Sequence, residues 1–241
     1  MDNLRKYGKP PYTVAVIHGG PGAAGEMMPV ARELSETRGV LEPLQTKMSI
    51  NEQVAELKFV ITEPVVLIGH SWGAWLSFIF AAKHPELVKK LILISSAPFE
   101  SKYVDVIMKI RKERLTEKER DLLNTDDLNV LGRLILKTDS FSPIPDDTKI
   151  DLLPEIYEKI WPEANRLRKS GKLLELGRKI KCPVTAIHGD YDPHPYLGVK
   201  EPLTEILSDF RFILLKDCGH IPWLEKEAKD AFYGILKRAI S

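Results

Sequence analysis

The chain has 241 residues, and its 35 lysines and arginines nearly cancel its 34 aspartates and glutamates, leaving a formal net charge of +1. Without a basic stripe interleaved with aromatic residues, this balance argues against nucleic acid as a partner. The length suits one α/β domain with an insertion. The N-terminus lacks the apolar core of a signal peptide, and no run of about 20 apolar residues is present. We therefore expect a cytoplasmic protein without a membrane partner.

Short apolar runs alternate with helical segments along the chain, which is typical of a mostly parallel sheet covered by helices on both faces. A helix is expected at residues 26–37, followed by a weaker strand at 39–45. The clearest strands are predicted at residues 13–17, 65–68, 91–94, 184–187 and 210–215. The fold class predicted by this alternation is α/β.

The sequence between residues 98 and 177 has a different texture, with charged stretches of helical period and no predicted strand of the sheet. An insertion at this point would lie above the carboxyl ends of the strands, where ligand crevices form in α/β proteins. We therefore predict a core of residues 1–97 and 178–241 and a helical cap, or lid, of residues 98–177. A helical appendage without contact to substrate is the alternative.

The run VVLIGHSWGAWLSFIFAAKHP predicts a buried strand, a sharp turn and an apolar helix, with GHSWG in the turn. Such a turn holds Ser71 in a strained conformation with its hydroxyl exposed, while Gly69 and Gly73 keep strand and helix clear of each other. The helix N-terminus also favours a developing anion. We predict a nucleophile elbow with Ser71 as the nucleophile, against the alternative that Ser71 is only a helix N-cap.

GHSWG, together with HGGPG at residues 18–22, resembles the α/β-hydrolase superfamily and is similar to its branch with the proline iminopeptidases and carboxylesterases. The resemblance covers nearly the whole chain and is weakest in the insertion. It implies the α/β-hydrolase fold and a serine esterase type of chemistry that needs no cofactor and no metal. Many members carry extra N-terminal strands, but here we expect none before residues 13–17.

An oxyanion hole needs two backbone N–H donors aimed at the developing negative charge. Trp72 follows the nucleophile and supplies one, and the resemblance points to Gly20 in the HGGPG loop for the other. Pro21 fixes that loop and donates nothing, while His18 is expected to support it. A plain glycine-rich loop is the alternative, but the sequence matches neither GxGxxG nor a P-loop, so we predict no nucleotide site.

A serine nucleophile needs an imidazole base and a carboxylate that fixes the tautomer of that base. His220 lies after the last predicted strand and before the C-terminal helix, where the resembled family carries its base. The segment HGDYDPHP offers Asp190 and Asp192. The family position, three residues after the glycine, selects Asp192 as the acid, and Asp190 is then a turn residue. The order Ser71, Asp192, His220 is that expected of this fold.

Four further histidines receive other interpretations. His84 ends a helix, where histidine interacts well with the dipole, and His70 is expected to point into the fold. His188 and His194 could line the pocket. The two cysteines, Cys182 and Cys218, are too few for a disulfide scaffold and too far apart for a paired zinc-binding motif, so we expect buried thiols and leave their pairing open.

The resemblance implies an acyl-enzyme mechanism on a small-molecule ester or amide, and we expect carboxylic ester hydrolysis of a small or medium acyl group. Proline iminopeptidase is the alternative, and it requires carboxylates that hold a free α-amino group. The acids Glu100, Asp105, Glu113 and Glu155 are interspersed with basic residues, as on a solvated helix face. A second alternative is a ligand-binding protein with slow or no turnover. The sequence indicates neither the natural substrate nor the oligomeric state.

Overall fold

The computed structural model describes residues 3–125, 127–146 and 148–241. Within these ranges, seven strands form one sheet and two further strands form a small second sheet. The strands of the main sheet are Leu4–Tyr7 (β1), Tyr12–Ile17 (β2), Gly39–Pro43 (β4), Val65–His70 (β5), Val88–Ile94 (β6), Val184–Gly189 (β8) and Phe210–Leu215 (β9). The second sheet pairs Ala23–Ala24 (β3) with Asp151–Leu152 (β7) in antiparallel fashion.

The strand order in the main sheet is β1-β4-β2-β5-β6-β8-β9. Every neighbouring pair is parallel except β1 with β4. The predicted mostly parallel sheet is thus confirmed, and its central strand β5 is buried at all six residues. An apolar run of this kind is expected where helices cover both faces of a parallel sheet.

Helices cover the sheet on both sides and form two buried clusters with it. Val30 of the first helix and Phe232 of the last belong to one cluster, and Phe78 and Leu203 belong to the other. The helices of the core are Met28–Ser35 (α1), Ile50–Val60 (α2), Trp72–Lys83 (α3), Leu197–Ile206 (α9) and Lys229–Ile240 (α10). Burial of apolar area on both faces is the main favourable term that holds such a layered domain together.

The chain between β6 and β8 is mostly helical and contributes no strand to the main sheet in its described part. It does contribute the two-residue strand β7, which the sequence pattern did not reveal. Its helices are Val104–Glu113 (α4), Glu117–Asp121 (α5), Leu128–Asp139 (α6), Pro154–Lys169 (α7) and Lys172–Glu175 (α8). We refer to residues 98–177 as the insertion.

The expectation of no strand before residues 13–17 is wrong, because β1 precedes them as an antiparallel edge strand. Its sequence LRKY carries two basic side chains and so lacks the apolar run that marks the inner strands. A buried carboxylate on β4 holds it in place. Tyr7 Oη donates a hydrogen bond to Glu42 Oε2 at 2.6 Å, and Arg5 Nη1 lies 3.8 Å from the same oxygen.

Candidate active site

Ser71 lies at the point where β5 turns directly into α3. Its φ of 52° and ψ of −115° place it in a backbone conformation that side-chain-bearing residues rarely adopt,. The Ser71 N–H donates to the carbonyl oxygen of Ile94, the last residue of the adjacent strand β6, at 2.9 Å. Ser71 is partly exposed, although its helix is otherwise almost wholly buried. The strained turn therefore presents its hydroxyl at the carboxyl edge of the sheet.

Two glycines allow this turn to pack tightly. A Cβ atom at Gly69 would lie 2.1 Å from the carbonyl oxygen of Gly73, and one at Gly73 would lie 2.2 Å from the carbonyl oxygen of Ile17. Both obstacles are backbone atoms, which cannot rotate away as a side chain can. A side chain at either position would push α3 away from β5 and β2, so the spacing of GHSWG follows directly from the geometry of the turn.

The structure brings the predicted base and acid together from two loops. His220 follows β9 and Asp192 follows β8, and the imidazole Nδ1 lies 2.7 Å from the carboxylate Oδ2. With Nδ1–H donating to Asp192, the other ring nitrogen, Nε2, is the one that can take a proton. His220 is partly exposed and Asp192 is buried. Asp190 instead accepts the Cys218 N–H at 3.2 Å and does not contact the base.

His70, the residue before Ser71, contacts the base. The His70 ring centroid lies 4.9 Å from that of His220. Within the described residues, the Ser71 hydroxyl forms no direct hydrogen bond to the His220 ring. Catalytic hydrogen bonds are often long before substrate binds, so the arrangement is compatible with proton transfer between them.

Asp192 contacts two further histidines, one within β8 and one in the loop that follows it. Its Oδ1 accepts the His194 N–H at 2.9 Å and lies 2.8 Å from His194 Nδ1. His188 Nε2 lies 3.3 Å from Oδ2 and 2.9 Å from the His194 carbonyl oxygen. Three imidazoles thus surround one buried carboxylate. The sequence pattern indicates His188 and His194 only as candidates to line the pocket, and their contacts with Asp192 are not predicted by it.

The groups around Asp192 and His220 shift the pKa values of both residues. Burial by itself lowers the pKa of His220, but the charge of Asp192 and the hydrogen bond to it outweigh burial and raise that pKa above its usual range,. For Asp192, burial acts in the opposite direction and raises the pKa. The interactions of Asp192 with His220, His194 and His188 outweigh burial and hold its pKa well below the usual range. The carboxylate is therefore charged near neutral pH and stabilises a proton on His220.

The HGGPG loop after β2 lies directly against the nucleophile. A Cβ atom at Gly19 would be 3.0 Å from the Cβ of Ser71. Gly19 N–H donates to Glu26 Oε2 at 2.6 Å, whereas the Gly20 N–H has no hydrogen-bond partner among the described residues. Trp72 is the first residue of α3, where an N–H has no partner within the helix,. Two donors are thus available beside Ser71.

His18 supports this loop, as its position suggested. Its Nε2 lies 3.2 Å from the Gln45 N–H, so it accepts that bond, and Nδ1–H can then donate to the Gly19 carbonyl oxygen at 3.0 Å. Burial lowers the pKa of His18 below its usual range, in agreement with a neutral ring that accepts at one nitrogen. The loop is thereby fastened to the end of β4.

The insertion is joined to the loop that carries the base. The His220 N–H donates to the Asp139 carbonyl oxygen at 2.7 Å. The Glu225 carboxylate, which is almost wholly buried, accepts the N–H groups of Phe141 at 2.8 Å, Ser142 at 2.7 Å and Gly219 at 2.9 Å. One carboxylate therefore bridges the insertion and the residue before His220.

Comparison with known proteins assigns the chain to a family. A model of the family described as alpha/beta hydrolase fold matches residues 57–227. The chain belongs to this α/β-hydrolase family. The matched range contains Ser71, Asp192 and His220, together with all of the insertion.

Solved structures extend the likeness of this α/β hydrolase to nearly its full length. VinJ is 18% identical with a TM-score of 0.76 over 98% of this chain and 93% of that one. The proline iminopeptidase of Mycobacterium smegmatis is 16% identical with a TM-score of 0.66 over 98% and 94%. At such identities the likeness concerns the fold. Ethanol acetyltransferase 1 of Cyberlindnera jadinii is 44% identical over 45 residues, which are 19% of this chain and only 13% of that protein.

Several residues of the α/β-hydrolase site were not found from the sequence. Glu26 and Glu225 are single acids without a motif, and each has a partner distant in sequence: Glu26 contacts the ring of His70, and Glu225 accepts the N–H groups of Phe141 and Ser142. Asp192, His194 and His220 offer ligand atoms within 4.8 Å of one another. Because the Nδ1 atoms of His194 and His220 already lie within hydrogen-bond distance of the Asp192 carboxylate, we assign no metal site there.

The two cysteines form no disulfide bond with each other. Cys182 and Cys218 are both free thiols, the first half-buried and the second buried. His84 ends α3, as expected, with its Nδ1 3.6 Å from Glu86 Oε1. No helix in the described ranges has both the length and the apolar character needed to cross a bilayer.

Proposed function

We propose that this α/β hydrolase is a serine hydrolase that cleaves carboxylic esters of small or medium acyl groups through an acyl-enzyme. One observation carries the proposal most directly: the 2.7 Å contact of His220 with Asp192, next to a serine held in a strained turn. Perturbed titratable groups beside such a nucleophile are typical of catalytic sites.

In the first step, Ser71 Oγ attacks the carbonyl carbon of the ester while its proton passes to His220 Nε2. The negative charge that develops on the carbonyl oxygen is stabilised by the N–H groups of Gly20 and Trp72. Asp192 keeps the imidazole in the required tautomer and stabilises the cation that forms. The raised pKa of His220 favours acceptance of this proton.

Collapse of the tetrahedral intermediate expels the alcohol, which takes the proton back from His220, and leaves the acyl group on Ser71. Water then attacks the acyl-enzyme with the same base and releases the carboxylic acid. All steps use side chains and backbone groups of this chain.

The insertion acts in this proposal as a cap over the site. Its Asp139 and Phe141 segment contacts the loop of His220, and Phe141 also packs against Tyr191, beside Asp192, with ring centroids 5.3 Å apart. These contacts join the middle of the insertion, in sequence, to the loops of both the base and the acid. They favour a cap over a helical appendage without contact to substrate.

Proline iminopeptidase activity finds less support. Capture of a free α-amino group requires carboxylates that face the substrate, but Asp105, Glu113 and Glu155 are exposed and Glu100 pairs with Lys102 at 2.9 Å. Buried Asp139 is already paired with Arg111, at 2.5 Å. An ester therefore suits the site better than an aminoacyl amide.

The proposal is tested by measuring hydrolysis of p-nitrophenyl acetate, p-nitrophenyl butyrate and proline β-naphthylamide by the purified protein, with fluorophosphonate labelling in parallel. We expect turnover of the esters and one label at Ser71. Ser71→Ala should lower kcat by about 10⁴–10⁶-fold, since the triad acts as a unit. Ser101→Ala, at an exposed serine of the insertion, is the matched control and should leave both readouts unchanged.

Other outcomes separate the alternatives. Preferred cleavage of the proline substrate would establish the iminopeptidase instead. A folded protein that neither labels nor hydrolyses any substrate would favour a ligand-binding role. Ester hydrolysis that survives Ser71→Ala would contradict the mechanism.

A further inference from the structure

Glu26 links two parts of the candidate site, although the proposed mechanism does not use it. Its Oε2 accepts the Gly19 N–H at 2.6 Å and lies 2.9 Å from His70 Nδ1. Gly19 precedes the oxyanion donor Gly20, and His70 precedes the nucleophile Ser71. One carboxylate oxygen therefore contacts the neighbours of both groups.

The second ring nitrogen of His70 contacts the loop of the base. Its Nε2 lies 2.9 Å from the carbonyl oxygen of His220. The ring is fully buried, and the indole of Trp223 packs edge-on against it with centroids 4.8 Å apart. His70 is thus held between two loops and has no contact with solvent.

These two contacts determine the form of the His70 ring. A carbonyl oxygen can only accept a hydrogen bond, and an ionised carboxylate can only accept one. A neutral imidazole has one N–H and can donate to only one of them, whereas the imidazolium donates to both. The pairing with Glu26 supplies the opposite charge that a buried cation requires.

The state of Glu26 agrees with this arrangement. Burial raises the pKa of its carboxyl, but the interaction with His70 and the hydrogen bonds from His70 and Gly19 outweigh burial and lower the pKa to about 2. The other titratable groups near the pair are the imidazoles of His18, His188 and His220. Glu26 is the one described carboxylate in direct contact with His70.

We propose that Glu26 and His70 are positioning residues: a buried carboxylate–imidazolium pair that fastens the oxyanion loop to the loop carrying the base. The inference rests on the proposed serine hydrolase function. It follows from a continuous series of bonds from Gly19 N–H through Glu26 and His70 to the His220 carbonyl oxygen. The pair holds the two loops at a fixed separation on either side of Ser71. Neither residue touches the substrate.

The protonation of His70 is tested by nuclear magnetic resonance of the full chain with ¹⁵N-labelled histidine. The His70 signals are identified by their loss in His70→Gln. We expect both ring nitrogens of His70 to carry protons at pH 7. A neutral His70 ring in the wild type at pH 7 would overturn the proposal.

The positioning role is tested by ester hydrolysis. Glu26→Gln should lower kcat by about 10–100-fold with little change in KM, since a displacement of about 1 Å in a catalytic group can cost about 100-fold. The matched control is Glu86→Gln. It removes a carboxylate 3.6 Å from His84, at the end of helix α3 opposite to Ser71, and should leave kcat unchanged. A Glu26→Gln protein with wild-type kcat would exclude the positioning role.

The two readouts also separate this inference from the function on which it rests. Failure of the proposed function would appear either as no ester hydrolysis or as hydrolysis that does not depend on Ser71, while the resonance experiment would still report the state of His70. If Glu26→Gln fails to fold, shown by the loss of its thermal transition, the wild-type spectrum alone decides whether the imidazolium is present.

Discussion

The nucleophile turn and the insertion place residues at the same site by different means. In the turn, the position of Ser71 is set by backbone contacts: a strained φ of 52°, a bond to the strand β6 and two glycines without space for a Cβ. In the insertion, the segment beside His220 combines ordinary backbone hydrogen bonds to the loop of the base with side-chain contacts of Glu225 and of the Arg111–Asp139 pair. A strained turn without space for a Cβ tolerates almost no substitution, whereas ordinary backbone bonds form with any residue type and a side-chain contact can be rebuilt with other residues.

This difference leads us to expect severe effects from small changes in the core and mild effects from the same changes in the insertion. Two carboxylates near His220 allow a direct comparison. Asp192 of the core contacts the imidazole at Nδ1. Asp139 of the insertion accepts the backbone N–H of His220 through its own carbonyl oxygen, which any residue type provides.

The largest effect is expected for Asp192→Asn. The amide cannot stabilise the imidazolium and can favour the wrong tautomer of His220, so kcat for ester hydrolysis should fall by about 10⁴-fold. Asp139→Asn should keep kcat within about tenfold, because its carbonyl oxygen remains, and should act mainly on thermal stability by leaving Arg111 without its charge partner. Kinetics on p-nitrophenyl butyrate and thermal unfolding of both variants would check this. Similar losses of kcat in the two would refute the division between core and insertion.

The same division explains which parts of the site could be predicted from the sequence. Gly69, Ser71 and Gly73 can be predicted from the sequence because the turn requires these residue types at a spacing of two. The loops that carry His220 and Asp192 follow from the succession of strands, which fixes the edge of the sheet where each loop emerges. The choice of Asp192 over Asp190 came from the family resemblance and not from the strand order.

Glu26 and Glu225 could not be found in this way. Each is a single acid that contacts residues far from it in the sequence. Glu26 is 44 positions from His70, and Glu225 is 83 and 84 positions from the two insertion residues that it binds. Strand β1 was missed for a related reason, since an edge strand with two charged residues has no apolar run. Long-range polar contacts leave no periodic signal in a single sequence.

An intermediate effect is expected for Gly69→Ala. The added Cβ would lie 2.1 Å from a backbone oxygen and 2.6 Å from Ser77 Oγ, so the helix α3 must shift relative to β5. Overpacking against backbone should cost at least about 3 kcal/mol in the free energy of unfolding. Chemical denaturation measures that cost, and the rate of fluorophosphonate labelling should fall with it because Ser71 moves. An alanine variant that is as stable and as reactive as the wild type would show that the turn is less constrained than its contacts indicate.

The smallest effect, and one of opposite sign, is expected for Gly132→Ala in the insertion. Gly132 lies in the interior of α6, is exposed, and an added Cβ would meet no atom within 4 Å. Alanine restricts the unfolded chain and favours the helix, so the variant should be more stable by about 0.5–1 kcal/mol, a rise in Tm of about 1–4 °C for a chain of this size. Ester hydrolysis should be unchanged. If Gly132→Ala instead destabilised the protein or lowered kcat, this helix would be coupled to the site as tightly as the nucleophile turn. The tolerance we assign to the insertion would then be wrong.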